Sequence, residues 1–141
     1  MKAITREMIK LYNIKNLKYD FMGYTFDKLE DLSFHHLIIP RRDCKKECIE
    51  NRGYLIWNGA ILNQNTSHNY LHLIERMDRE LFLRITKYMI EENRNGKINI
   101  DNLKRIREIL LYFEKEHKNE RDRKGNLLIK RPYKNNRIDL L

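Results

Sequence analysis

Valine is absent from this chain, cysteine and proline occur twice each, and tryptophan once. Two cysteines cannot staple a small secreted fold, so the chain reads as a reduced, intracellular protein of the cytoplasm. No uncharged apolar run approaches the ~20 residues of a membrane-spanning helix, and the mean hydropathy is −0.76. Met1 to Lys10 mixes charge with single apolar residues and holds no secretory hydrophobic segment. No internal repeat or long low-complexity tract is present. The few glycines form no phosphate-cradling loop, which argues against a nucleotide-triphosphate enzyme. No serine or cysteine sits in a recognisable nucleophile setting.

What is present is positive charge and aliphatic bulk. Lys and Arg total 29 against 20 Asp and Glu, a formal charge of +9. Leu, Ile and Phe make up 40 of the 141 residues, enough apolar content for a charged chain to fold. That length suits one compact domain with an arm. Net charge does not dictate a fold, but it favours a polyanionic partner. The charge is unevenly placed: Lys118 to Arg137 has eight basic residues and two acidic ones, +6 of the +9. We therefore expect a single domain over 1–117 and a basic C-terminal arm over 118–141. A solvated arm and one that contacts a nucleic-acid backbone are both open.

Periodicity suggests an α+β chain. A helix is expected over Thr5–Leu11, and irregular or weakly paired structure over Lys18–Leu32. Ser33–Ile39, stopped by Pro40, reads as a strand. Arg41–Gly53 reads as a polar, basic loop, and Tyr54–Leu62 as a strand broken by Asn58-Gly59. Thr66 or Ser67 can cap a helix to about Arg76, Asp78 one over Arg79–Asn93, and Asp101 one over Asn102–His117. The last two helices form a scaffold over 78–117.

Four of the five histidines lie in two tight pairs, His35-His36 and His68 with His72. Neighbours on a strand point to opposite faces, so His35 and His36 should do different jobs. His68 and His72 are four apart on an expected helix, which places both imidazoles on one face, the geometry of a bidentate metal site. His117, near the end of the last helix, suits the helix dipole and is given no catalytic role.

The stretch from His35-His36 through Pro40, then Trp57-Asn58-Gly59, then Ser67-His68-Asn69-Tyr70-Leu71-His72 resembles the HNH, or ββα-metal, endonuclease family over about residues 33–75. The resemblance implies a small core of two short antiparallel strands and a helix, flanked by further helices. It implies His35, His68 and His72 as ligands of one divalent ion (Mg, Mn, Ni or Zn), and His36 as the general base that deprotonates the attacking water. It also implies Asn58 as the residue that braces the loop and orients that base. The interval from Asn58 to His68 is one residue longer than usual, so Asn63 and Asn65 stay open for the bracing role. DNA is the implied substrate, with 5′-phosphate and 3′-hydroxyl products. Arg41, Arg42, Lys45 and Lys46 in the loop, with Lys130 and Arg131 in the arm, are candidate nucleic-acid contacts.

A rival use of the same ligands is open. Cys44, Cys48, His68 and His72 have a spacing that mimics a structural zinc finger, which would make the chain a non-catalytic nucleic-acid-binding module. A third reading is a catalytically silent subunit docked on a larger nuclease or packaging machine; a homodimer is also compatible. The richness in Lys, Ile and Asn fits an AT-rich genome such as that of a phage or mobile element.

Overall fold

The computed structural model describes residues 1–46, 55–133 and 136–138. Two strands, β1 (Leu32–His36) and β2 (Gly59–Asn63), pair antiparallel, with Ser33 opposite Leu62, His35 opposite Ala60 and His36 opposite Gly59. Six α-helices occur among the described residues: α1 (Ala3–Leu11), α2 (Ile14–Leu17), α3 (Arg41–Lys46), α4 (Ser67–Met77), α5 (Arg79–Asn95) and α6 (Ile100–His117). The fold is thus α+β, a small ββα core flanked by helices.

β2 is buried along its whole length, packed against α1, α4 and α5. That double cover explains why Ala60-Ile61-Leu62 is a continuous apolar run and not an alternating one. Ile61 and Leu62 meet Leu71 and Ile74 of α4, Ile85 and Met89 of α5, and Phe113 of α6 in one core. The expected strands are shorter than the apolar runs that suggested them. After His36 the chain bends, and Leu55–Asn58 enters β2 through a 3-10 turn over Ile56–Asn58. Arg41–Lys46 is helical where a loop was expected; Pro40 can precede a helix because its fixed φ suits that position.

The caps differ in detail from expectation. Asp78 does cap α5, accepting from the Leu81 N–H at 3.2 Å. α6 begins two residues early, because the Asn99 side chain accepts from the Asp101 N–H at 2.7 Å; Asp101 instead lies in the first turn, favourable to the dipole. At α4 neither Thr66 nor Ser67 makes a side-chain cap bond. The Ser67 hydroxyl is used elsewhere, in a short contact with the carboxylate of Asp20.

Asp20 is completely buried. It also accepts from the N–H groups of Met22 (2.8 Å), Tyr24 (3.0 Å) and Asn63 (2.8 Å). The irregular stretch after α2 is thereby wound around one carboxylate, closed by a bridge between Tyr19 and Thr25 and tied to β2 by Phe21 N–H to Ile61 C=O at 3.1 Å. The segment after α6 is anchored by more than its few apolar residues suggested. Ile129, Tyr133 and Ile138 are buried, and the chain returns to Gly23–Thr25 through Ile138 N–H to Gly23 C=O and Thr25 N–H to Asn136 C=O. Its basic side chains Arg121, Arg123, Lys124, Lys130 and Arg131 remain exposed.

Gly59 is required by packing, not by backbone angle. A Cβ there would collide with the ring of Phe34, which sits across the strand pair. Gly59→Ala should therefore force Phe34 out of place and cost about 1–3 kcal/mol, the usual range for overpacking. Urea denaturation would read it; stability equal to the starting protein would contradict the packing argument.

Candidate metal centre

β1 alternates as a strand must. Ser33 and His35 turn towards α4, while Phe34 and His36 form a ring pair on the other side, centroids 5.0 Å apart. α4 brings His68 and His72 to one face, their ring centroids 4.9 Å apart. His35, His68 and His72 converge so that one nitrogen from each lies within 4.8 Å of the others. His35 Nδ1 and His68 Nε2 are 3.3 Å apart. Two nitrogens bound at ~2.0–2.1 Å to a tetrahedral divalent ion would be separated by about the same distance, roughly 3.3 Å.

Hydrogen bonding fixes which nitrogens are available. The Ser33 hydroxyl has one proton, and the Leu62 carbonyl, 3.2 Å away, can only accept it. Towards His68, 2.8 Å away, Ser33 therefore acts as the acceptor and His68 donates from Nδ1. That leaves a lone pair on His68 Nε2, facing His35. Glu75 plays the same part for His72, with its carboxylate 3.2 Å from Nδ1. Outer-shell partners of this kind orient imidazole ligands and set their tautomer. Neither Ser33 nor Glu75 was nominated from the sequence. The signals were local: Ser33 precedes His35 by two on a strand, and Glu75 follows His72 by three on a helix.

The electrostatics suit a cation. Burial, then the neighbouring imidazoles His68, His72 and His36, holds His35 well below its usual value. Burial, reinforced by His72 and His36, lowers His68 to about 4. Both are neutral at pH 7, the form that ligates. His35 Nε2 is buried with no hydrogen-bond partner. The approach of His35 Nδ1 to His68 Nε2, the tautomer-locked lone pairs of His68 and His72, and the neutrality of His35 and His68 together fit a divalent ion, and these three histidines can hold one.

His36 shares the cleft, a depression of about 500 Å³ whose wall also carries Arg41, Arg42, Glu75 and Arg79. Burial, then the positive charges of Arg41 and Lys2, lowers its pKa. Lys2 had no signal in the sequence. The loop behind His36 is held by Asn58, which is fully buried. Its Oδ1 accepts from the N–H groups of Ile38 (2.9 Å) and Ile39 (2.8 Å), and its Nδ2 donates to the Ile39 carbonyl at 3.1 Å. Asn63 and Asn65, the two alternatives, act elsewhere: the Asn63 side chain binds Thr25, and that of Asn65 binds Asp31.

Of the candidate phosphate contacts, Arg41 and Arg42 are exposed at the cleft, with Arg42 3.9 Å from Asp43. Lys45 and Lys46 belong to α3, where side chains are described only as far as Asp43. The zinc-finger alternative falls there too, since Cys48 lies outside the described residues and the Cys44 side chain is not described. Lys130 and Arg131 lie away from the cleft, in a separate groove beside α4. No helix among the described residues is long and apolar enough to cross a membrane. Comparison with protein-family models, curated proteins and solved structures found no match to this chain.

The outer shell is testable by metal titration. Ser33→Ala should weaken binding of Zn²⁺ or Mn²⁺ by about 10–100-fold, the usual range for loss of such a partner, and Ser33→Thr should restore most of it. Unchanged affinity in Ser33→Ala would remove the tautomer argument.

Acid stability of the metal-free protein should follow two opposed linkages. His35 and His68, lowered from 6.5, stabilise the fold fully above that value and lose the contribution as the pH falls towards 4. Asp20 and Glu92, raised by burial to about 6 and about 7, contribute fully in acid and lose that contribution as the pH rises through those values. Asp20→Asn removes one of the two offsets. Its denaturation midpoint in chelator should fall more steeply between pH 6 and 4 than that of the starting protein; an equal or shallower slope would contradict the assignment.

Proposed function

We propose that the chain is a metal-dependent endonuclease that hydrolyses DNA phosphodiester bonds. The observation that carries this reading is His36, a fourth histidine in the same cleft as His35, His68 and His72, at the end of β1 just before a loop held by buried Asn58. Three histidines can hold a cation, and the fourth, on the opposite face of the strand, remains for proton transfer.

In this reading His36, neutral because burial and the charges of Arg41 and Lys2 disfavour its protonation, accepts a proton from water as the water oxygen attacks phosphorus in line. The new O–P bond forms as the bond from phosphorus to the 3′ oxygen breaks, and that oxygen takes a proton from solvent. A divalent ion held by His35, His68 and His72 would supply Lewis-acid stabilisation of the charge that develops on the phosphoryl and leaving oxygens. Asn58 holds the Ile38-Ile39 backbone and so would limit how far His36 can drift, and Arg41, in the cleft wall, would hold the scissile phosphate.

Plasmid nicking in Mg²⁺, Mn²⁺, Ni²⁺ and Zn²⁺ tests the proposal. His36→Ala should reduce cutting by ~10²–10⁴-fold, the usual contribution of a general base, with metal affinity and fold retained. Absence of cutting by the unmodified protein in every metal, or equal cutting by His36→Ala, would overturn it. Cys44→Ser should keep its bound metal; loss of metal and fold would instead favour a structural zinc on Cys44, Cys48, His68 and His72.

A further inference from the structure

We propose that the phosphate backbone of the nucleic acid runs from the histidine cleft, across the start of α4, to a second basic groove formed with the segment after α6. The path rests on the nuclease reading for the identity of the strand and on the surface for its course. Three depressions adjoin. Phe34, Arg41 and His68 are common to the histidine cleft and to a hollow beside Lys2. Asn65 and Asn69 are common to that hollow and to a third depression, a groove of about 480 Å³ between α4 and Leu128–Arg131.

The third groove gathers Arg76, Lys130 and Arg131, and no carboxylate lines it among the described residues. Like charges gathered on one groove repel one another, and no described lining residue offsets them. A row of phosphates removes that repulsion and releases counterions. Arg131 is already held in place, with Nη1 donating to the Asn65 carbonyl at 3.4 Å. The exposed carboxamides of Asn65 and Asn69 can add hydrogen bonds along the way. His68 and Arg76 are eight positions apart on α4, ~12 Å along its axis. That distance matches the rise of about three to four nucleotides at ~3.4 Å each, so groove and cleft would hold different phosphates of one strand.

The test is equilibrium binding of a short labelled duplex DNA to the full chain across a range of NaCl, with His36→Ala as the background so that nothing is cut. Adding Lys130→Ala with Arg131→Ala should reduce the slope of log affinity against log salt by about 1.8, at ~0.9 per phosphate contact. A matched control removes equal charge from Arg123 and Lys124, exposed in the turn closed by the Arg121–Leu127 bridge; it should leave the slope unchanged. Equal reductions from both pairs would mean diffuse attraction by net charge, and no reduction from Lys130 and Arg131 would mean no contact; either result overturns the path. A protein that binds with the expected slopes but never cuts would defeat the nuclease reading and leave the path standing.

Discussion

The joint on which the site depends is the buried carboxylate of Asp20. It accepts from the turn that follows it, from the last residue of β2 and from the first residue of α4. Two stretches far apart in sequence, residues 20–24 and residues 63–67, are thereby set at one point. β2 aligns β1, and with it His35; Ser67 leads directly into His68. The spacing between the ligand from the strand and the two from the helix therefore traces back to a group that touches neither. Burial pushes the Asp20 carboxyl up to about 6 even with these donors around it, so holding a charge there costs free energy that the rest of the core offsets.

Asn58 does for the loop what Asp20 does for the core. A side-chain amide can donate and accept at once, which matches a stretch of backbone that offers both N–H and C=O groups. Asn58 uses both capacities on Ile38 and Ile39, where the chain has left the sheet and has no ladder partner. The result is a rigid turn directly after His36. In the nuclease reading we propose, preorganisation of this sort would let His36 act without first being positioned by substrate.

The charge follows a division of the same kind. The cleft gathers four imidazoles with Arg41, Arg42 and Arg79 in its wall, and further basic side chains lie beyond it in the groove beside α4. Converging imidazoles can hold a cation at the centre, while the surrounding cations favour an anion. In the nuclease reading, one partner meets both preferences by presenting phosphates to the centre and to the rim.

Much of this was legible without coordinates because it depends on short-range geometry. Strand alternation separates His35 from His36, and a four-residue helical spacing joins His68 to His72. Both follow from backbone periods of two and 3.6 residues. The α+β class and the helices after Asp78 were legible for the same reason. The caps were less so: Asp101 was expected to cap the last helix, and Asn99 does so by accepting from the Asp101 N–H.

Tertiary structure alone decided the rest. The partnership of Asp20 with Ser67, the bonds from Ser33 to both His68 and the Leu62 carbonyl, the place of Lys2 beside His36 and the return of Ile138 to Gly23 all join residues distant along the chain. No local pattern encodes them. Residue types and their spacing determined which side chains could ligate; long-range hydrogen bonding through Ser33 determined which nitrogen of His68 is left to do so.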